Sequence, residues 1–69
     1  MFKKNDVVRS DKDLDSLYIP KDALFLVTKD QSEFGTIVKL KPLSKPLKDT
    51  SKLRADGTVD YLARYFTKV

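Results

Sequence analysis

The sequence predicts a mostly-β fold: a small, partly open barrel of about five short strands, with a brief helical turn near the C-terminus. Three observations carry this. Residues 23–28 and 36–41 are two short runs rich in apolar and β-branched side chains, separated by turn chemistry over 29–35. Val7, Val8 and Arg9 form a short apolar nucleus directly behind the turn-forming pair Asn5-Asp6. The tail, 58–69, combines an apolar spacing suited to a turn of helix with the alternation of a closing strand.

Taken in order, Val7-Val8-Arg9 reads as the first strand. Residues 10–16 are polar, with Asp11, Asp13 and Asp15, and read as a loop. Pro20 biases Ile19 toward extended geometry. The run 23–28 is the strongest strand, and its unbroken hydrophobicity predicts burial on both faces. In 36–41, Ile37, Lys39 and Lys41 share one face, with Val38 and Leu40 on the other. Asp30, Ser32 and Gly35 between the two runs supply turn residues, so the pair reads as a hairpin. Pro42 lacks the N–H that a ladder needs and is expected to end regular pairing. Residues 42–54 then form a Lys/Pro-rich, extended connection, with Leu43, Leu47 and Leu53 tacked onto the core. Asp56-Gly57 is a turn signal.

The tail admits two descriptions. As a helix, Val59, Leu62, Ala63 and Phe66 fall at i, i+3, i+4 and i+7, and Asp60 and Arg64 form an i,i+4 pair. As a strand, Val59, Tyr61, Ala63 and Tyr65 alternate with more polar neighbours. A mixture is expected, with one helical turn near 62–65 followed by a short strand; a hairpin plus C-terminal helix, an α+β fold, is the alternative.

At 69 residues the chain is read as one small domain, 1–69. A domain of this size buries only about 60% of the surface its unfolded chain exposes, so its stability margin is small. The sequence holds no cysteine and no histidine. That removes disulfides, thiolate and imidazole metal sites, and Ser-His and Cys-His nucleophiles. No glycine-rich phosphate loop is present, and acid–base catalysis needs paired carboxylates in a concave pocket that so short a chain seldom encloses. The expectation is a non-enzyme without cofactors. The longest apolar run is five residues, 23–27, far short of a transmembrane helix. The opening residues lack the apolar segment of a signal peptide, so the expected location is cytoplasmic.

Charge is unevenly distributed. The net charge is +4, yet acids outnumber cations up to residue 35 and cations dominate beyond it. Lys39, Lys41, Lys45, Lys48, Lys52 and Arg54 stand against Asp49 alone between residues 39 and 54. This segment is the predicted partner-binding surface. Lysines on an extended segment can neutralise successive phosphates without reading sequence. No aromatic interrupts the stretch to stack bases, however, and lysines also guard strand edges against aggregation. Tyr18, Tyr61 and Tyr65 are candidates for an aromatic groove, each with an apolar ring and a polar tip; Phe25 and Phe66 are expected in the core, along with most other aromatics. The spacing of Asp11, Asp13, Asp15 and Asp22 imitates a calcium loop, but Ser16 stands where the turn needs glycine, and no bidentate glutamate closes the loop. No metal site is predicted.

The pieces Lys4-Asn5-Asp6-Val7-Val8-Arg9, 23–40 and 61–69 resemble a small SH3-like barrel of the KOW type, as in short phage-encoded accessory proteins. In such openings glycine often stands at the position of Asn5. The resemblance implies a binding module for peptides, nucleic acid or polymerase-associated proteins. Two function classes follow. The first is a regulatory module docking on a protein partner, in a transcription, translation or defence assembly. The second is direct, largely sequence-independent nucleic-acid binding through 39–54. A monomer or weak homo-oligomer is expected, with self-association through a strand edge at 36–41 as a third reading.

Overall fold

Period-two alternation decides what each strand buries. In a computed structural model, described over residues 1–14, 19–43 and 53–69, the chain forms β1 (Val7–Ser10), β2 (Leu24–Val27), β3 (Ile37–Pro42), β4 (Val59–Leu62) and β5 (Phe66–Lys68). A 3-10 turn, Ala63–Tyr65, links β4 to β5. All pairings are antiparallel, in one sheet of order β4-β3-β2-β1-β5. The mixed description of the tail therefore holds, and the C-terminal helix alternative does not.

Val8, Phe25, Val27, Val38 and Leu40 point to one side and are essentially inaccessible. Leu14, Ile19, Ala23 and Phe66 complete the buried cluster. The sheet curls until side chains from its two outermost strands meet. Phe66 of β5 stands edge-on to Phe25 at 5.6 Å between ring centroids and to Tyr61 of β4 at 6.4 Å. Such edge-to-face contacts add about 0.5–1.5 kcal/mol each beyond their area.

Three expectations are corrected. First, β2 is buried on one face only: Phe25 and Val27 are inside, while Leu24 is exposed and Leu26 half-buried. Continuous hydrophobicity here marks an apolar outer face, not a second core. Second, 36–41 is no edge. The β3 strand lies between β2 and β4, and the outermost strands among the described residues are β4 and β5. The Ala63 N–H donates to the Thr36 carbonyl at 2.8 Å; ladder alternation then turns the main-chain groups of Leu62 and Asp60 away from β3. Third, Pro42 ends pairing on one side only. It still faces Phe25 across β2, and the Leu43 N–H beyond it donates to the Leu24 carbonyl at 3.1 Å. Its missing donor falls on the β4 side, where the ladder stops at Leu40 and Val59.

Two turns fix the register. The Arg54 N–H donates to the Thr58 carbonyl at 2.9 Å, and the Gly57 N–H to the Arg54 carbonyl at 2.8 Å. Gly57 sits at φ 81°, the left-handed position of a three-residue loop, where glycine carries no Cβ penalty. Asp56 reinforces the turn by accepting from the Thr58 N–H at 3.0 Å and hydroxyl at 2.6 Å; these bonds, the hydroxyl first, hold its carboxyl below the usual value. Ahead of β1, Asn5 adopts φ 76°, a left-handed conformation that glycine would take without a Cβ penalty. The same turn is tied by Asp6, whose carboxylate accepts from the Lys3 N–H at 2.8 Å and faces Lys68 at 3.5 Å. The bond from Lys3, with help from Lys68, lowers the Asp6 pKa.

The connection from β1 to β2 closes on Ser10. This fully buried serine donates its hydroxyl to the Pro20 carbonyl at 2.6 Å and accepts from the Ala23 N–H at 3.0 Å. Leu14 and Ile19 exchange main-chain bonds further out.

Candidate functional site

The predicted basic surface is partly neutralised within the chain. Lys39 lies 3.5 Å from Asp56, and Arg54 is hydrogen-bonded to Asp60. These pairs form because β3 and β4 set Lys39 opposite Asp60 on the outer face, with the Gly57 turn folding Arg54 and Asp56 back beside them. Lys41 is exposed on that face and has no carboxylate partner among the described residues. Lys45, Lys48 and Lys52 lie outside the described residues.

Two of the three tyrosines expected to line a groove fall among the described residues. Tyr61 sits opposite Val38 and packs on the core. Tyr65 is held between cations: the Lys12 ammonium lies 4.7 Å and the Arg64 guanidinium 5.3 Å from its ring centroid. Arg64 also reaches the phenol oxygen at 3.5 Å, which, with the positive charges of Arg64 and Lys12, lowers its pKa. Tyr18 lies outside the described residues. The aspartates of the first loop are engaged singly. Asp11 accepts from Thr67, Asp13 from the Lys21 N–H, and Asp22 pairs with Arg9; Asp15 lies outside the described residues. No group of three potential metal ligands occurs among the described residues.

The residue that sequence reasoning missed is Phe34, which it grouped with the core aromatics. It is 91% exposed, the most solvent-facing large apolar side chain described. It stands at the third position of a turn closed by the Gly35 N–H on the Ser32 carbonyl at 2.9 Å. Gln31 fixes the base of that turn. Its side-chain amide donates to the Gly35 carbonyl at 2.8 Å, its side-chain oxygen accepts from the Phe2 N–H at 3.1 Å, and its own N–H donates to the Phe2 carbonyl at 3.0 Å. An exposed aromatic on a bonded turn is pre-organised for contact.

Ile37, 54% exposed, lies close by on the outer face and pairs with Leu62. A cleft of about 470 Å³ opens beside the turn, lined by Gln31, Gly35, Thr36, Leu62, Ala63 and Arg64. A second, of about 270 Å³, runs past Lys29, Ser32, Ile37 and Asp60 on the other side. Ile37 and Leu62 thus form an apolar pair on the outer face, near the turn that carries Phe34 and with concave ground on both flanks. The signal in the sequence is an aromatic set inside a polar, turn-forming segment, where no strand face exists to bury it.

Compared with known proteins, the chain matches no family model, and no curated sequence or solved structure is significantly similar to it.

Proposed function

We propose that this chain is a small non-enzymatic binding module that docks on a protein partner through Phe34 and the nearby pair Ile37 and Leu62. The observation that carries the reading is Phe34, held in water at 91% exposure by a turn that Gln31 fixes. Large aromatics are the residues most enriched among those that dominate protein interfaces, and a fixed turn limits the ordering cost of binding. The meander of β1 to β4, the 3-10 turn, and the return of β5 to β1 are in keeping with the SH3-like resemblance, and a binding role is common among such barrels.

The test is affinity capture from the source cell, with and without nuclease, using the wild type and Phe34→Ser. The reading expects a partner that survives nuclease and is lost with Phe34→Ser. A partner held equally by both forms, or released by nuclease, overturns it.

Direct nucleic-acid binding is the second reading, and Lys41 is the described residue that favours it. The pairing of Lys39 and Arg54 with aspartates counts against it, since each contact to phosphate would first have to displace an internal carboxylate. Retention on DNA or RNA that falls several-hundred-fold between roughly 50 and 200 mM salt is its signature. No retention at the lower concentration removes it.

A further inference from the structure

The turn carrying Phe34 offers an apolar side chain beside an acid, and the cleft next to it offers apolar lining and a cation. The turn presents an apolar knob, Phe34, directly preceded by the exposed carboxylate of Glu33. The cleft of about 470 Å³ next to it is lined by Thr36, Leu62, Ala63 and the exposed Arg64, whose guanidinium lies 5.3 Å from the Tyr65 ring centroid. Within one molecule the knob does not enter the cleft, because Phe34 remains 91% exposed. Neither Glu33 nor Arg64 has an oppositely charged partner among the described residues. The cleft also borders β4, which pairs with β3 on one side only among the described residues.

We propose that two copies of this chain associate through an isologous contact in which Phe34 of each enters the cleft of the other and Glu33 of each meets the other's Arg64. A two-fold axis between knob and cleft satisfies both contacts at once, because the same patch then serves on both sides. Elsewhere on the surface, Leu24 and Leu43 are exposed as well, but Arg9 beside Leu24 already meets Asp22 at 3.5 Å within the chain, so that cation is not left for a contact between copies. The area available to a single knob and cleft per side is small, so the association is weak, with a dissociation constant of roughly 10 µM to 1 mM.

The contact uses the same patch as the partner-docking reading and so competes with it: self-association would keep Phe34 covered until a partner displaces the second copy. The two ideas fail separately. A wild type that is monomeric but captures a partner through Phe34 overturns the self-contact alone. A self-associating wild type that captures none leaves the self-contact and overturns the docking reading.

Sedimentation velocity over this concentration range is the experiment. Glu33→Lys and Arg64→Glu are exposed charge reversals outside the core. Each alone sets like charges against each other at both contacts and is expected to weaken association roughly tenfold. An equimolar mixture of the two variants restores opposite charges at both contacts of the mixed dimer, and should restore association. Phe34→Ser should remove it. A wild type that sediments as a monomer throughout overturns the proposal. So does a charge-reversal variant that associates like the wild type, a mixture without recovery, or a Phe34→Ser protein that still dimerises.

Discussion

Gln31 holds Phe2 by both of that residue's main-chain groups, receiving the Phe2 N–H on its side-chain oxygen and giving its own N–H to the Phe2 carbonyl. This extends the β1–β2 pairing beyond its last regular residues and anchors the chain's opening segment to the base of the Phe34 turn. Gln31→Ala should therefore release two things together. We expect a loss of about 1–2 kcal/mol in urea denaturation, with faster amide exchange at both Phe2 and Gly35. Protection retained at Gly35 would show that the turn closes without Gln31.

Ser10 is the polar side chain on which the β1–β2 connection turns. Ser10→Ala leaves the Pro20 carbonyl without its hydroxyl donor and deprives the buried Ala23 N–H of the oxygen it reaches. The expected cost is about 1–3 kcal/mol by chemical denaturation, larger than a serine-to-alanine change at an exposed site. A loss under about 0.5 kcal/mol would mean that both groups find other partners.

Asn5 tests the backbone alone. At φ 76° a β-carbon is crowded, so Asn5→Ala should destabilise by about 1 kcal/mol, whereas Asn5→Gly should match or exceed the wild type. Equal stabilities for the two variants would argue that Asn5 leaves the left-handed region in solution.

Phe34→Ser should leave thermal and chemical stability within about 0.5 kcal/mol of wild type, because the side chain buries almost nothing in the isolated chain. A larger loss would place Phe34 in the folding energetics and undercut its reading as a contact residue.

Acid should weaken the domain in part through Asp6 and Asp56. Both carboxyls have pKa values lowered below 3.8 in the folded chain. Their contributions are full when the pH lies above the ordinary carboxylate value, and disappear as the pH falls through the lowered ones. Melting temperatures should therefore drop below about pH 4, by a modest amount because solvent screens both carboxyls. Asp6→Asn, which cannot titrate, should melt lower at neutral pH and lose less on acidification. An acid slope identical to wild type would remove Asp6 as a cause.

The strands were legible because their signals are local. The alternation of Ile37, Lys39 and Lys41 with Val38 and Leu40 states which face is buried, and Asp56-Gly57 states where the chain reverses. What failed were statements that depend on a strand's neighbours. That β3 is flanked on both sides, or that Leu24 faces outward beside Arg9, follows from sheet order, which the apolar pattern of one strand does not contain. In the basic segment the cations appear uncompensated in sequence, whereas register brings Asp56 to Lys39 and Asp60 to Arg54. Phe34 was illegible because an aromatic in a loop has no periodicity from which to read a face.

The pairing of β5 with β1 has a mechanical consequence. The two strands are antiparallel, and the Val69 N–H closes on the Val7 carbonyl at 2.9 Å, so the outer end of one strand lies beside the outer end of the other. A pull applied between residues 7 and 69 loads these bonds one after another, as a zipper, not all together in shear. Stretched by those residues, the domain should open at low force from β5 inward, with the β2–β3–β4 meander the last part to give way.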